Sequence, residues 1–204
     1  MLDHVFTDAI SALREAFEAA FLERQAFEEH FQMDVLLGDV TWETSYGLPG
    51  EGHPPRVVAH VTLDWPTWSQ TAYRRWYIEE ELETVPSIEI EIVLRIQRLA
   101  NAPDVDQVFA TLPDASPLVG DDRLERAGLS VESIHPDPAD PDEDELSFAV
   151  EVTYEGIYEL AESALADGTS GLLDEHFGAL GGWVASTLVR LGDLQLAFLP
   201  AEDG

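Results

Sequence analysis

The chain has 204 residues, 45% hydrophobic and 25% charged, a composition able to build one large or two compact globular domains. Against 41 Asp and Glu it carries 10 basic residues, all of them Arg, for a net charge of −31, which excludes nucleic-acid binding through conventional basic contacts. With neither Cys nor Lys, it has no disulfide framework, thiolate metal site, thiol nucleophile, phosphate-loop lysine or Schiff-base lysine.

The first predicted element is a long amphipathic helix. Phe6, Ile10, Leu13, Phe17, Ala20, Phe27 and Phe31 recur mostly at spacings of three and four, and the pattern predicts a helix from Asp3 to about His30. The opening residues lack the basic and apolar stretches of a secretory signal, and no run of apolar residues is long enough to span a membrane. The expectation is a cytoplasmic protein with no membrane contact.

The period then changes to two. Val40 and Trp42 alternate with Thr41 and Glu43, and after a Gly- and Pro-rich loop Val57, Ala59, Val61, Leu63 and Trp65 alternate again, which predicts a β-hairpin. Ile88, Ile90, Ile92, Leu94 and Ile96 give the clearest strand, and a short helix is expected between Pro103 and Pro113. The Pro, Asp and Gly content of 113–123 suits a linker, dividing the chain into an N-terminal half at 1–112 and a C-terminal half at 124–204.

In the second half Leu129, Val131 and Ser133 lead into an acidic loop, followed by Leu146, Phe148, Val150, Val152, Tyr154 and Tyr158, a second hairpin. A shift of 89 residues lays 40–65 on 129–154 without a gap, so the halves read either as an internal duplication or as two unrelated amphipathic hairpins. Leu173, Phe177, Leu180, Val184, Leu188 and Leu191 have helical spacing in spite of Gly178, Gly181 and Gly182, and Leu194, Leu196 and Phe198 suggest a final strand. The fold class is α+β, with a long N-terminal helix, antiparallel hairpins in two halves, and helices on one face of the sheet.

The most unusual segment, 65–82, holds Trp65, Trp68, Tyr73, Trp76 and Tyr77 around Arg74 and Arg75. Aromatic and Arg side chains are what protein interfaces favour, since they bury large areas at low entropic cost and keep a polar tip for orientation. The competing reading is plain core, with Trp65 continuing a strand face and the others wedging a helix onto the sheet.

Asp137, Asp140, Asp142, Glu143, Asp144 and Glu145 could ligate a hard cation, but three prolines and the lack of a turn glycine favour a solvated loop, and no metal or cofactor is expected. Glu28, Glu29 and His30 resemble Asp174, Glu175 and His176, raw material for acid–base chemistry that is more commonly a helix-surface feature. No GxSxG, GxGxxG or HExxH motif occurs. The sequence therefore reads as a non-catalytic binding or assembly protein whose partner is itself or another protein, with its acidity spread as in solubility or salt adaptation. The rivals are a hydrolase using carboxylates with His, and an acidic imitation of nucleic acid.

Overall fold

The computed structural model describes residues 3–21, 29–36, 39–48, 54–79, 83–136, 146–160 and 170–200. The acidic loop at 137–145 lies outside them. Among the described residues the chain is a mixed α+β structure built on one seven-stranded antiparallel sheet. Its elements are α1 (Asp3–Phe21), β1 (Glu29–Leu36), β2 (Asp39–Gly47), β3 (Val57–Trp65), α2 (Thr67–Glu79), β4 (Ser87–Leu99), α3 (Val105–Thr111), β5 (Ala115–Val119), β6 (Asp122–Ile134), β7 (Ser147–Glu159) and α4 (Ser170–Gly192). The spatial order is β1-β2-β3-β4-β7-β6-β5, so β4 is central and each flank is a three-strand meander.

Alternation decides which face of the sheet is buried. Val57, Ala59, Val61 and Leu63 on β3 and Ile88, Ile90, Ile92, Leu94 and Ile96 on β4 all point to one side, joined there by Val150, Val152, Tyr154 and Tyr158 of β7. That side is covered by α4, whose Leu173, Phe177, Leu180, Val184, Leu188 and Leu191 are fully buried, and by the Ala9, Ile10, Ala12 and Leu13 stripe of α1. The two helices approach closely at Gly181, where an added Cβ would stand 2.9 Å from Ala16 Cβ and 3.0 Å from the Leu13 carbonyl oxygen. Gly120 has a second special role, taking φ +70° in the turn between β5 and β6, against the ring of Tyr158.

Four expectations are corrected. The helix expected to reach His30 is described over Asp3–Phe21, and Glu29 to Leu36 instead pair residue for residue with Tyr46 to Asp39 of β2. A Phe27–Phe31 spacing of four continues a helical period, but a strand that satisfies its backbone along a neighbour overrides so weak a local signal. The segment 113–123, expected as a linker, carries β5, which Pro117 and its brevity disguised; β4 of the first half then pairs along β7 of the second, so one sheet runs through both. The final strand reduces to one bridge, Phe198 to Leu99, flanked by hydrogen bonds from Ala100 N to Ala197 O and from Leu199 N to Arg98 O, each 2.8 Å. The gapless shift of 89 would carry Val40 opposite Trp65 onto Leu129 opposite Tyr154, whereas Leu129 stands opposite Val152, and a bulge between Arg126 and Gly128 interrupts β6.

Candidate binding surface

The strand β3 ends at Trp65 because Pro66 cannot donate to a ladder, and α2 begins one residue later. Ser69, Ala72, Tyr73 and Trp76 fall on one face of α2 at spacings of three, one and three, and this face turns inward: Ser69, Ala72 and Tyr73 are buried and Trp76 packs against the core. Ser69 is the peg. Its Oγ accepts hydrogen bonds from Trp65 Nε1 at 3.0 Å and Ser87 N at 2.7 Å, and donates to Ser87 O at 2.6 Å, fixing the helix to the ends of β3 and β4.

The aromatic segment therefore divides. Trp65 and Tyr73 belong to the core, with ring centroids 5.8 Å apart in an edge-on arrangement, and Tyr73 meets Trp76 at 6.0 Å. Trp68, four residues before Ala72, lies at the edge of this face and is 49% exposed. It borders a surface groove of about 350 Å3 together with Thr71, Ala72, Arg75, Glu83 and Thr84. Arg75 spans the groove's rim to Glu83 at 3.2 Å, with both side chains more than half exposed, so the ion pair contributes at most about 1 kcal/mol and can be exchanged for a partner's carboxylate. Arg74 is exposed on the helix surface, and the side chain of Tyr77 lies outside the described residues.

The face of the sheet away from the helices is acidic. In register across β2, β3, β4, β7 and β6 lie Glu43, Thr62, Glu91, Glu155 and Glu125, and the neighbouring row holds Thr41, Asp64 and Glu89. Strands stand about 4.8 Å apart, so like charges sit directly opposite one another. Burial holds the Glu91 carboxyl above its ordinary range, and Glu155, Asp64 and Glu43 add to the effect. An open hollow of about 530 Å3 lies over Asp64, Glu89, Glu91, Glu155 and Ile157. Among the described residues no set of three or more acidic or His side chains is arranged to hold a metal ion.

One row further on, Ser45 Oγ and His60 Nδ1 share a hydrogen bond of 2.7 Å. Burial lowers the pKa of His60, Arg95 lowers it further and Glu151 opposes both, so the imidazole is neutral at pH 7. The hydrogen bonds of the described residues give this ring no carboxylate to orient it as a general base. Of the two acid–His tripeptides, Glu28 and the side chains of Glu29 and His30 lie outside the described residues, the backbone of His30 being on the edge strand β1, whereas His176 on α4 shares a hydrogen bond through Nδ1 with Tyr158 OH at 2.9 Å. Burial pushes the Tyr158 phenol up to about 12, with Asp121 adding to it, so it stays protonated. Among the described residues no helix is long and apolar enough to cross a membrane. Comparison with known proteins returns no matching family model, no similar curated protein and no matching solved structure.

Sequence reasoning singled out the segment as a whole but could not divide it. Trp65, Tyr73 and Trp76 follow the buried positions, and only Trp68, Arg74 and Arg75 of the described candidates stand outward. The acidic face was legible as polar strand positions, but its lateral order depends on which strands are neighbours.

Proposed function

We propose that this chain is a non-catalytic binding or assembly protein that meets a protein partner, further copies of itself included, through the outer face of α2. The observation that carries this reading is Trp68, kept half in solvent beside Arg75 while the other described aromatics of its segment are packed inward. A large rigid ring next to a planar donor is what interface anchors are made of. No cofactor enters this reading, and its setting is the cytoplasm. Internal duplication belongs to it too: each half runs helix, three-strand meander, helix, and the meanders flank β4.

The test is solution mass by light scattering at low and high salt, read with acrylamide quenching of Trp fluorescence. Species above the monomer are expected to grow with protein concentration and with sodium chloride as repulsion is screened, while Trp68 becomes less quenchable. Trp68→Ala is expected to shift the distribution toward smaller species. A strict monomer at every concentration, with Trp68 equally accessible throughout, sinks self-association.

The second reading is a hydrolase, favoured by the raised carboxyl of Glu91 on the same face as the Ser45–His60 bond. It requires that Glu91→Gln and His60→Ala abolish turnover of some ester or glycoside, an outcome the binding reading does not allow.

A further inference from the structure

The two edges of the sheet differ in how they are closed. On one side β1 pairs along its whole length with β2 and carries Glu29 and Asp34. On the other side β5 is five residues long, contains Pro117, and covers β6 only from Asp122 to Glu125, after which Arg126 N donates to Asp114 O at 3.0 Å. Short strands and proline are ordinary ways of blunting an edge. Beyond Arg126 that protection stops: among the described residues no strand pairs with 127–134 on the side away from β7.

This free stretch is also sparsely charged for so acidic a chain. Its sequence, Ala-Gly-Leu-Ser-Val-Glu-Ser-Ile, holds one charged side chain, Glu132, which lies 3.3 Å from Arg95 on β4, a guanidinium it shares with Glu151. Every residue in it except Leu129 is exposed. Val131, Ile134 and Leu146 account for three of the seven large hydrophobic side chains exposed among the described residues, and Ile134 stands opposite Ser147, next to Leu146. Exposed apolar residues are thus gathered where backbone donors and acceptors are unpaired.

We infer that residues 127–133 of β6 pair antiparallel with the same residues of a second copy across a two-fold axis at Ser130, extending the sheet from one molecule into the next; this rests on the assembly reading above and adds to it a second contact between copies, separate from α2. Self-pairing of this strand is chemically consistent. With the axis at Ser130, Leu129 faces Val131 of the second copy and Gly128 faces its Glu132, so apolar meets apolar and the two Glu132 side chains stay apart. An axis at Glu132 would place those carboxylates directly opposite each other. Because the axis is perpendicular to the sheet, both copies keep their helices on the same side and α2 stays free for a partner.

The absence of Cys makes the contact directly measurable. Residues opposite one another on antiparallel strands have Cα atoms about 4.5 to 5.5 Å apart, within disulfide reach. Full-length Ser130→Cys, oxidised in air, is expected to form a disulfide-linked dimer about tenfold faster or more than Ile157→Cys, which sits exposed on the open face. Adding Val131→Glu to the Ser130→Cys chain is expected to slow dimer formation about tenfold by placing new charge in the contact, whereas adding Trp68→Ala leaves it unchanged. Cross-linking of Ser130→Cys no faster than Ile157→Cys, in a chain with native circular dichroism, overturns the edge contact. If scattering still shows mass above the monomer, the assembly reading stands without it. Cross-linking abolished by Trp68→Ala and indifferent to Val131→Glu likewise overturns the edge contact and moves the meeting point to α2.

Discussion

Three glycines in α4 offer a controlled measurement of how tightly α1 lies on it. Gly178, Gly181 and Gly182 share one helix, and Gly-to-Ala replacement in a helix interior gains about 0.8 to 1.0 kcal/mol from propensity alone. At Gly178 and Gly182 an added Cβ meets nothing within 4 Å, so Gly178→Ala and Gly182→Ala are each expected to stabilise by about 0.5 to 1 kcal/mol. At Gly181 the same methyl meets Ala16 Cβ at 2.9 Å and the Leu13 carbonyl oxygen at 3.0 Å, and the second neighbour is backbone that cannot rotate away. Separating the helices by a few tenths of an ångström loosens a fully buried layer, at a cost of about 1 to 3 kcal/mol for overpacking. Against the propensity gain, Gly181→Ala should come out near 1 kcal/mol destabilising, roughly 2 kcal/mol from the other two. Urea unfolding followed by circular dichroism resolves this, since with a slope of about 2 kcal/mol/M the midpoints should differ by about 1 M. Ala16→Gly costs about 0.8 to 1.0 kcal/mol of helix propensity in the parent and should cost less in the Gly181→Ala background, the difference being the Cβ–Cβ part of the clash but not the carbonyl part. If all three variants stabilise equally, α1 does not approach α4 as described.

Two further outcomes follow from the charges. Glu91 has its folded pKa raised by burial and by Glu155, Asp64 and Glu43, so the native state is penalised when the carboxyl ionises. That penalty is absent below the unfolded-state pKa and grows as pH rises through the folded one; Glu91→Gln should therefore be more stable than the parent at pH 7, with the advantage vanishing on acidification. Equal denaturant midpoints at pH 7 would show that solvent screens the cluster fully. With a net charge of −31, raising sodium chloride from 0.1 to 1 M shortens the screening length from about 10 to about 3 Å and should raise the melting temperature. A flat or falling melting curve midpoint in that series would mean that self-repulsion does not limit stability.

Strands whose two faces differ can be read from the linear pattern alone. The alternation of Ile88 to Ile96 with Glu89, Glu91 and Arg95, and of Val57 to Trp65 with His60, Thr62 and Asp64, follows from a side-chain period of two with one face dry, and that constraint is local enough to read from one chain. The apolar stripe of α4 and the acidity of the surface are legible in the same way. Features that exist through a neighbour are set by the packed fold instead. Glu29 to Leu36 became β1 because β2 offers it a full ladder, Ala115 to Val119 became β5 because β6 does, and Gly181 is explained by α1 rather than by its own helix. The division of Trp65, Trp68, Tyr73 and Trp76 into core and surface depends on where α2 is pegged by Ser69. The line of Glu43, Glu91, Glu155 and Glu125 depends on β7, not β5, lying beside β4. Partners distant in sequence set these features, and the physical reason they escape a linear reading is that their hydrogen bonds and contacts are non-local while period and propensity report only a few residues at a time.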